Sequence, residues 1–509
     1  MNSIVIDGGP LTRSDVISVA RDGARVAVGP QVADRMALAR DVVQFAVDSS
    51  EVVYGITTGF GALASTHIGR HQSEALQYNL IRSHAAGVGE PLPDVMVRAM
   101  LLLRARTLAQ GHSGVRVEIV ERLVEMLNMG ILPLVPSQGS VGASGDLAPF
   151  AHLALPLIGE GKVRWNGEIL PAGEALAKAG LGALRLHTKE GLSLLNGTEG
   201  MTAMGILAHD QSNRLLHAAD VACALTVEAV LGSSRPFRPE IHALRPHPGQ
   251  RRSAGHIAAL LDGSEIGASH ADDFHHAVQD AYSLRCAPQV HGAVADTLDH
   301  MERVLEIEMG SVVDNPIVFP ETAEVISAGN FHGQPLAFVL DFCAIAVTEL
   351  GSISERRTDR MLDPTRSAGL PAFLSPDPGV NSGYMISQYT QAALVAENRV
   401  LSHPASVESI PTSGMQEDHV SMGWGAGRKL FPVLENTRRV LAVEMLCAAQ
   451  ALEYRKPLRP APGTGAVVSL IREHVPPLAE DRPLADEIET VSQLIGSGAI
   501  EAVVSGHLG

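Results

Sequence analysis

The stretch "GSVGASGDLAP", residues 139–149, sets four small residues, Gly142-Ala143-Ser144-Gly145, directly before an acid, Asp146. It follows the Pro-punctuated "ILPLVPSQ" and runs into "DLAPFAHLALPLI", where apolar spacing predicts a helix start. One reading is a glycine-rich turn with Asp146 near the first turn of that helix. A phosphate loop is a second, but its lysine and its strand–loop–helix spacing are missing. The third reading uses the chemistry of the triad itself. In a tight bend the Gly145 amide nitrogen attacks the Ala143 carbonyl carbon, and glycine lacks the Cβ that would block the approach. Loss of water from the ring and from the Ser144 side chain then leaves a conjugated electrophile, which no ordinary side chain offers.

The rest of the chain bounds the possibilities. Its 509 residues are enough for one large domain or several smaller ones, and 45% apolar content supports a substantial core. Aromatics are only 4%, so that core is mostly aliphatic. A net charge of −17 argues against a general nucleic-acid binder, which needs a basic face. Cys223, Cys286, Cys343 and Cys447 lie far apart, in neither a zinc spacing nor a disulfide framework, which suggests reduced thiols and a cytoplasmic setting. The N-terminal "MNSIVIDGGPLTRSDV" lacks the basic and apolar regions of a signal peptide. No apolar run is read as long enough to span a membrane. "HADDFHH", with His270, Asp272, Asp273, His275 and His276, holds zinc-compatible residues at poor helical spacing and is read as a solvated stretch, with no metal site.

Periodicity is mostly helical. "PLTRSDVISVARDG" offers Ser14 as N-cap and Gly23 as stop, and Val95–Gln110 ends at Gly111. Long amphipathic stretches at Ala203–Leu231, Gln334–Arg356, Met385–Leu401 and Arg428–Leu452 predict a bundle of long antiparallel helices. Strand signals are confined to "EVVYGI" and to "GKVRWNGEIL", where Asn166-Gly167 marks a hairpin. The tail "AIEAVVSGHLG" is expected to fray.

"GSVGASGDLAP" resembles the motif from which the aromatic amino acid ammonia-lyases build 4-methylidene-imidazol-5-one (MIO) out of Ala-Ser-Gly. "VYGITTGFGALAS", "NLIRSHAAGVGEPL", "GLSLLNGTEGM", "QDAYSLRCAPQVHG", "DNPIV", "SAGNFHGQPLA" and "SIPTSGMQEDHVSMG" resemble further segments of the same family, in the same order, from about residue 53 to 424. The resemblance implies a mainly α, ammonia-lyase/fumarase-like fold, with an MIO-bearing domain over 1–200 and a helical bundle over 201–509. It also implies a homotetramer whose sites each draw on three subunits. Within the family, "RSHAAG" and "QEDHVSM" are most similar to members acting on histidine.

The resemblance implies roles for particular residues. Ala143, Ser144 and Gly145 would form the MIO, with no soluble cofactor. Tyr54, ahead of Gly55, Gly59 and Gly61, would be a general base on a mobile loop, where a packed strand-end aromatic is the bland alternative. Thr57 stands where the family more often has Asn. His84, near a helix end, would exchange hydrogen bonds with ring nitrogens of the substrate. Asn196, otherwise an Asn-Gly turn residue, would bond the MIO oxygen or the carboxylate region. Gln279, Tyr282 and Arg285 fall at i, i+3 and i+6 of an expected helix. Arg285 would hold the carboxylate in a bidentate pair, and Tyr282 would support the MIO and the amine. Phe331 would wall the pocket, and Met385, preceded by a Tyr384 that departs from the family, would pack on the ring. In "QEDH", Gln416 and above all Glu417 would face an imidazole, because a carboxylate accepts its N–H; a phenyl ring would leave that charge unpaired.

The implied reaction is non-oxidative deamination of L-histidine to trans-urocanate and ammonia. Tyr54 would take the β-proton, and attack on the MIO by the amine or by the ring remains open. A tyrosine or phenylalanine ammonia-lyase, an aromatic amino acid 2,3-aminomutase, and a helical scaffold that makes no MIO are the alternatives. No nucleic-acid or membrane partner is expected.

Overall fold

The computed structural model describes residues 3–49, 52–59, 61–63, 65–69, 72–142, 145–271 and 278–507. The chain forms two compact units. The first takes in Met1–Leu207, Glu302–Leu340 and Pro404–Arg428; the second takes in Ala208–Met301, Asp341–His403 and Lys429–Gly509.

Helices dominate, and the longest are Glu199–Ala229, Ala287–Gly310, Gln334–Leu362 and Gly423–Glu453. Among the described residues every strand belongs to the first unit. Ile4–Ile6 pairs in parallel with Val26–Val28 across the Arg13–Arg21 helix. Val88–Pro91 pairs antiparallel with Pro136–Gln138, and Ile317–Phe319 with Glu324–Ile326. The hairpin Lys162–Trp165/Glu168–Pro171 turns at Asn166 and Gly167, both at positive φ, as the Asn-Gly signal requires.

Several local expectations change. The first helix is capped by Thr12, not Ser14: Thr12 and Asp15 form a reciprocal capping box, and the helix ends at Arg21 before Gly23. "EVVYGI" forms no strand among its described residues; Tyr54 sits in a turn in which the Ile56 and Thr57 amides bond the Val53 carbonyl. The tail is helical over Ala499–Val504 because Ile500 and Val504 are buried. The helix Gln334–Leu362 does carry a window long and apolar enough to cross a membrane, but 61% of that window is buried inside the protein, as in a core helix.

In the first unit the helix Asp94–Ala109 is buried almost all round, and two of its arginines, Arg98 and Arg106, donate to carbonyls. Arg106 donates to Gly9, Gly310 and Ser311 at 2.7–2.9 Å, while Arg98 donates to Val19 at 2.9 Å. The second unit is knit by a buried polar network. Arg357 forks onto Glu444 at 2.5 and 2.9 Å, and Thr226 donates to the same carboxylate at 2.7 Å. His291 Nε2 lies 3.4 Å from Arg357 Nη1, a donor only, so Nδ1 carries the proton and donates to Asp220 at 2.8 Å. Ser253 and His256 complete the shell of Asp220 at 2.5 and 3.2 Å.

Burial by itself pushes the Asp220 carboxyl up, but the donors His256, His291 and Ser253 outweigh it and hold it at about 2, below its ordinary 3.8. A depressed carboxylate stabilises the fold above its unfolded value, and that stability is lost as pH falls through the folded value. Asp220→Asn is therefore expected to cost about 2 kcal/mol at neutral pH, with the gap to the parent closing between about pH 4 and pH 2. Denaturant titrations at pH 7 and pH 3 check this, and an undiminished gap at pH 3 would contradict it.

Candidate active site

Ala143 and Ser144 lie outside the described residues, so the site is built from what flanks them. On one side Ser140 Oγ accepts the Gly142 amide at 3.0 Å, Ser421 Oγ donates to the Gly142 carbonyl at 3.2 Å, and the Met422 amide donates to the Val141 carbonyl at 2.8 Å. On the other side Gly145 pairs with Gly197 in a parallel bridge, and the Asp146 amide donates to the Gly197 carbonyl at 2.8 Å. Gly142 and Gly145 stand at φ 69° and 70°, and a Cβ on Gly145 would collide with the Gly197 backbone.

Asp146 precedes the helix Leu147–Ala154 but does not cap it with its side chain. The fully buried carboxylate instead accepts the Met201 amide at 2.9 Å and Ser140 Oγ at 3.2 Å. Burial outweighs these donors and pushes it up to about 7.

Asn196 is extended, at φ −92° and ψ 108°, and is not the turn residue that Asn-Gly suggests; the Asn196-Gly197 segment is fixed by a buried ion pair. Arg104 donates to the Ser193 carbonyl at 2.9 Å and the Asn196 carbonyl at 3.0 Å, and it pairs with Glu199. A Cβ on Gly197 would collide with both members of that pair. Asn196 Nδ2 donates to the Asn315 carbonyl at 2.9 Å, and its buried Oδ1 has no partner among the described residues. Asn315 follows Asp314, which holds the fully buried Lys189 at 3.0 Å.

Tyr54, His84, Asn196 and Glu417 line one cavity of about 360 Å³ in the first unit, with Leu80, Leu147, Leu195, Asn315 and Ser413 among its walls. His84 ends the helix Ser73–His84, as the glycines and proline that follow predict, and lies 3.1 Å from Ser83 Oγ through Nδ1. Burial pushes its imidazole below the ordinary 6.5, against a smaller upward pull that includes Glu417. The Tyr54 hydroxyl accepts the Gly61 amide at 3.3 Å. Glu417 is half-buried and accepts Thr412 Oγ1 at 2.9 Å, while Gln416 beside it is exposed. Phe331 is half-buried in the turn before Gln334–Leu362, and it and Gln416 do not line this cavity.

The other expected residues belong to the second unit. Gln279 and Arg285 line a separate open cleft of about 820 Å³. Arg285 stacks 4.5 Å over the exposed Tyr282 ring and donates through Nε to the Asp280 carbonyl at 2.9 Å. The expected single helix face is corrected here, because the helix starts only at Tyr282, after an extended Ala281, and lasts one turn to Arg285. Gln279 therefore precedes it. Met385 begins the helix Met385–Leu401, half-buried, after a fully buried Tyr384. Of the "HADDFHH" stretch, residues 272–276 lie outside the described residues.

Sequence reasoning passed over Arg104, Glu199, Asn315, Thr412 and Ser413. The one available signal was "RAR" inside an apolar helix, since a buried arginine demands acceptors. Breaking the buried pair leaves Glu199 uncompensated, so Arg104→Met is expected to cost about 3–5 kcal/mol, and Arg104→Met/Glu199→Leu less than that single change. Denaturant unfolding of both variants tests the pair.

Comparison with known proteins bears on the family and the fold. The family model "Aromatic amino acid lyase" matches residues 11–473. The chain is 52% identical to histidine ammonia-lyase from Symbiobacterium thermophilum over 502 residues, 99% of this chain and 98% of that one. Among solved structures, histidine ammonia-lyase from Trypanosoma cruzi matches with TM-score 0.91 at 42% identity, covering 99% of this chain and 96% of that one. A tyrosine aminomutase from Streptomyces globisporus matches with TM-score 0.94 at 40% identity, covering 99% of each. The chain belongs to the aromatic amino acid lyase family.

Proposed function

We propose that the chain catalyses the non-oxidative deamination of L-histidine to trans-urocanate and ammonia. The observation that carries this reading is the convergence of Glu417 and His84 on the cavity that Tyr54 and Asn196 also line. A half-buried carboxylate accepts an imidazole N–H or pairs with an imidazolium. A phenyl ring offers no donor to the oxygen that Thr412 does not reach, which is costly. His84, held below its ordinary range by burial, is neutral near pH 7 and offers one ring nitrogen as donor and the other as acceptor. The relatives named for histidine support the same substrate. A tyrosine or phenylalanine lyase or an aminomutase is the second reading, favoured by the likeness to a tyrosine aminomutase.

In this reading Tyr54 removes the β-proton, and the Gly61 amide fixes the direction of its hydroxyl. Asn196 presents its unpaired Oδ1 to an N–H of the bound amino acid. Arg285 takes the carboxylate, with Tyr282 and Gln279 beside it; Phe331, Met385 and Gln416 shape the surroundings of the ring. The residues flanking 143–144 fit the family's MIO: Gly145 admits no Cβ, and Gly142 is anchored through both its amide and its carbonyl. When formed, that group supplies an electrophile that helps the amino group to leave. We further propose a homotetramer with each site drawn from three subunits, and a cytoplasmic location, for which the four unpaired thiols are the support.

An ultraviolet time course with L-histidine, L-tyrosine and L-phenylalanine, added separately, tests the substrate. A conjugated acid is expected from histidine alone, and product from tyrosine or phenylalanine instead would overturn the assignment. Intact mass should fall two waters short of the encoded chain. Glu417→Gln should lower kcat/KM for histidine about a hundredfold, the loss of a hydrogen bond to a charged group.

A further inference from the structure

Two neighbouring hydroxyls connect the cavity's loops. Thr412 Oγ1 donates to Glu417 Oε2 at 2.9 Å. The same two residues bond through their backbones in both directions, Thr412 N–H to Glu417 at 2.9 Å and Glu417 N–H to Thr412 at 3.3 Å. Ser413 Oγ turns to a different partner and accepts the Ala62 amide at 3.3 Å. Ala62 follows Gly61, whose amide bonds the Tyr54 hydroxyl. A Cβ on Gly61 would collide with the Ser413 hydroxyl, so the approach of these loops requires glycine there. Ser413, Gly414 and Met415 all stand at positive φ, 51°, 61° and 71°, a turn that non-glycine residues adopt only when their surroundings hold it. Ser413 lines the cavity, whereas Thr412 does not.

We propose that Thr412 and Ser413 divide two tasks between adjacent hydroxyls. Thr412 is a positioning residue: it engages Oε2 of Glu417 and leaves Oε1, the oxygen nearer Gly61, as the acceptor for the substrate ring. A free glutamate samples many rotamers, and a charge-assisted bond to one oxygen removes that freedom before the substrate arrives. Ser413 seats the loop that carries Tyr54 and acts on proton removal instead of ring binding. The Thr412 half rests on the assignment of Glu417 to the imidazole.

Steady-state kinetics with L-histidine on the intact enzyme separate the two tasks. Thr412→Val should raise KM about tenfold with kcat within about threefold of the parent, and Thr412→Ser should return KM to within about twofold. Added to Glu417→Gln, Thr412→Val should change KM little further, because the effect runs through the carboxylate. Ser413→Ala should lower kcat about tenfold at nearly constant KM. An unchanged KM in Thr412→Val, full additivity with Glu417→Gln, or equal losses in kcat and KM for both single variants would overturn the proposal. If Thr412→Val fails to fold, Thr412→Ser and Thr412→Ala decide by the same split. A parent enzyme inert toward histidine would instead sink the reading of Glu417 on which the first half rests.

Discussion

The close approach of two glycines governs the candidate site. Gly145 and Gly197 touch backbone to backbone, and neither position has room for a single extra carbon. The contact pins the C-terminal end of the Ala143-Ser144-Gly145 run from outside that run. It also explains the chemistry beneath it. Gly197 has no side chain to pack, so the Arg104 guanidinium holds the segment by bonding the Ser193 and Asn196 carbonyls and pairing with Glu199. Burying that pair is costly unless its geometry is good. The cost is offset in part because the guanidinium also satisfies two carbonyls that would otherwise be left stranded.

The remaining walls of the cavity follow from that anchor. Asn196 has its amide nitrogen tied to Asn315, a residue of the returning segment Glu302–Leu340. Glu417 arrives on the second returning segment, Pro404–Arg428, which Ser421 and Met422 stitch to Gly142 and Val141. The two segments that come back to the first unit are therefore the ones that bring Asn315, Ser413 and Glu417 to residues from the first two hundred. Distances of hundreds of residues along the chain collapse because helices up to 31 residues long carry the chain away and back.

Such architecture is partly visible in the sequence. The 3.6-residue apolar period locates Met385–Leu401 to the residue and finds the helices Glu199–Ala229, Gln334–Leu362 and Gly423–Glu453 with ends off by up to about six residues, but it names no stretch for Ala287–Gly310. The Asn-Gly hairpin is a local signal and reads correctly. Harder to read were elements whose cause is tertiary. Ile4–Ile6 and Val26–Val28 are three residues each and exist only as partners across a helix. The end of the chain forms a helix because Ile500 and Val504 find a core. Four of the five transitions between units, at Leu207, Met301, Leu340 and Arg428, fall inside long helices, so no linker marks them. At the cavity, Tyr54, His84, Asn196 and Glu417 were legible as polar residues in family segments. Thr412 and Arg104 were not, because a threonine in a loop and an arginine in a helix have no fixed meaning until their acceptors are known.

Fold alone cannot choose the substrate here, since solved structures named for a histidine lyase and for a tyrosine aminomutase share this architecture almost equally. The choice has to come from groups whose desolvation differs between substrates. An apolar wall separates rings of similar size weakly, by about 1–3 kcal/mol per methylene-sized difference. A half-buried carboxylate separates them strongly, because the wrong ring strands a charge while the right one supplies its missing donor. Glu417 is such a group, and Thr412 occupies one of its oxygens without neutralising it. The carboxylate is therefore directed by one bond, which discrimination by an acceptor that awaits a donor requires.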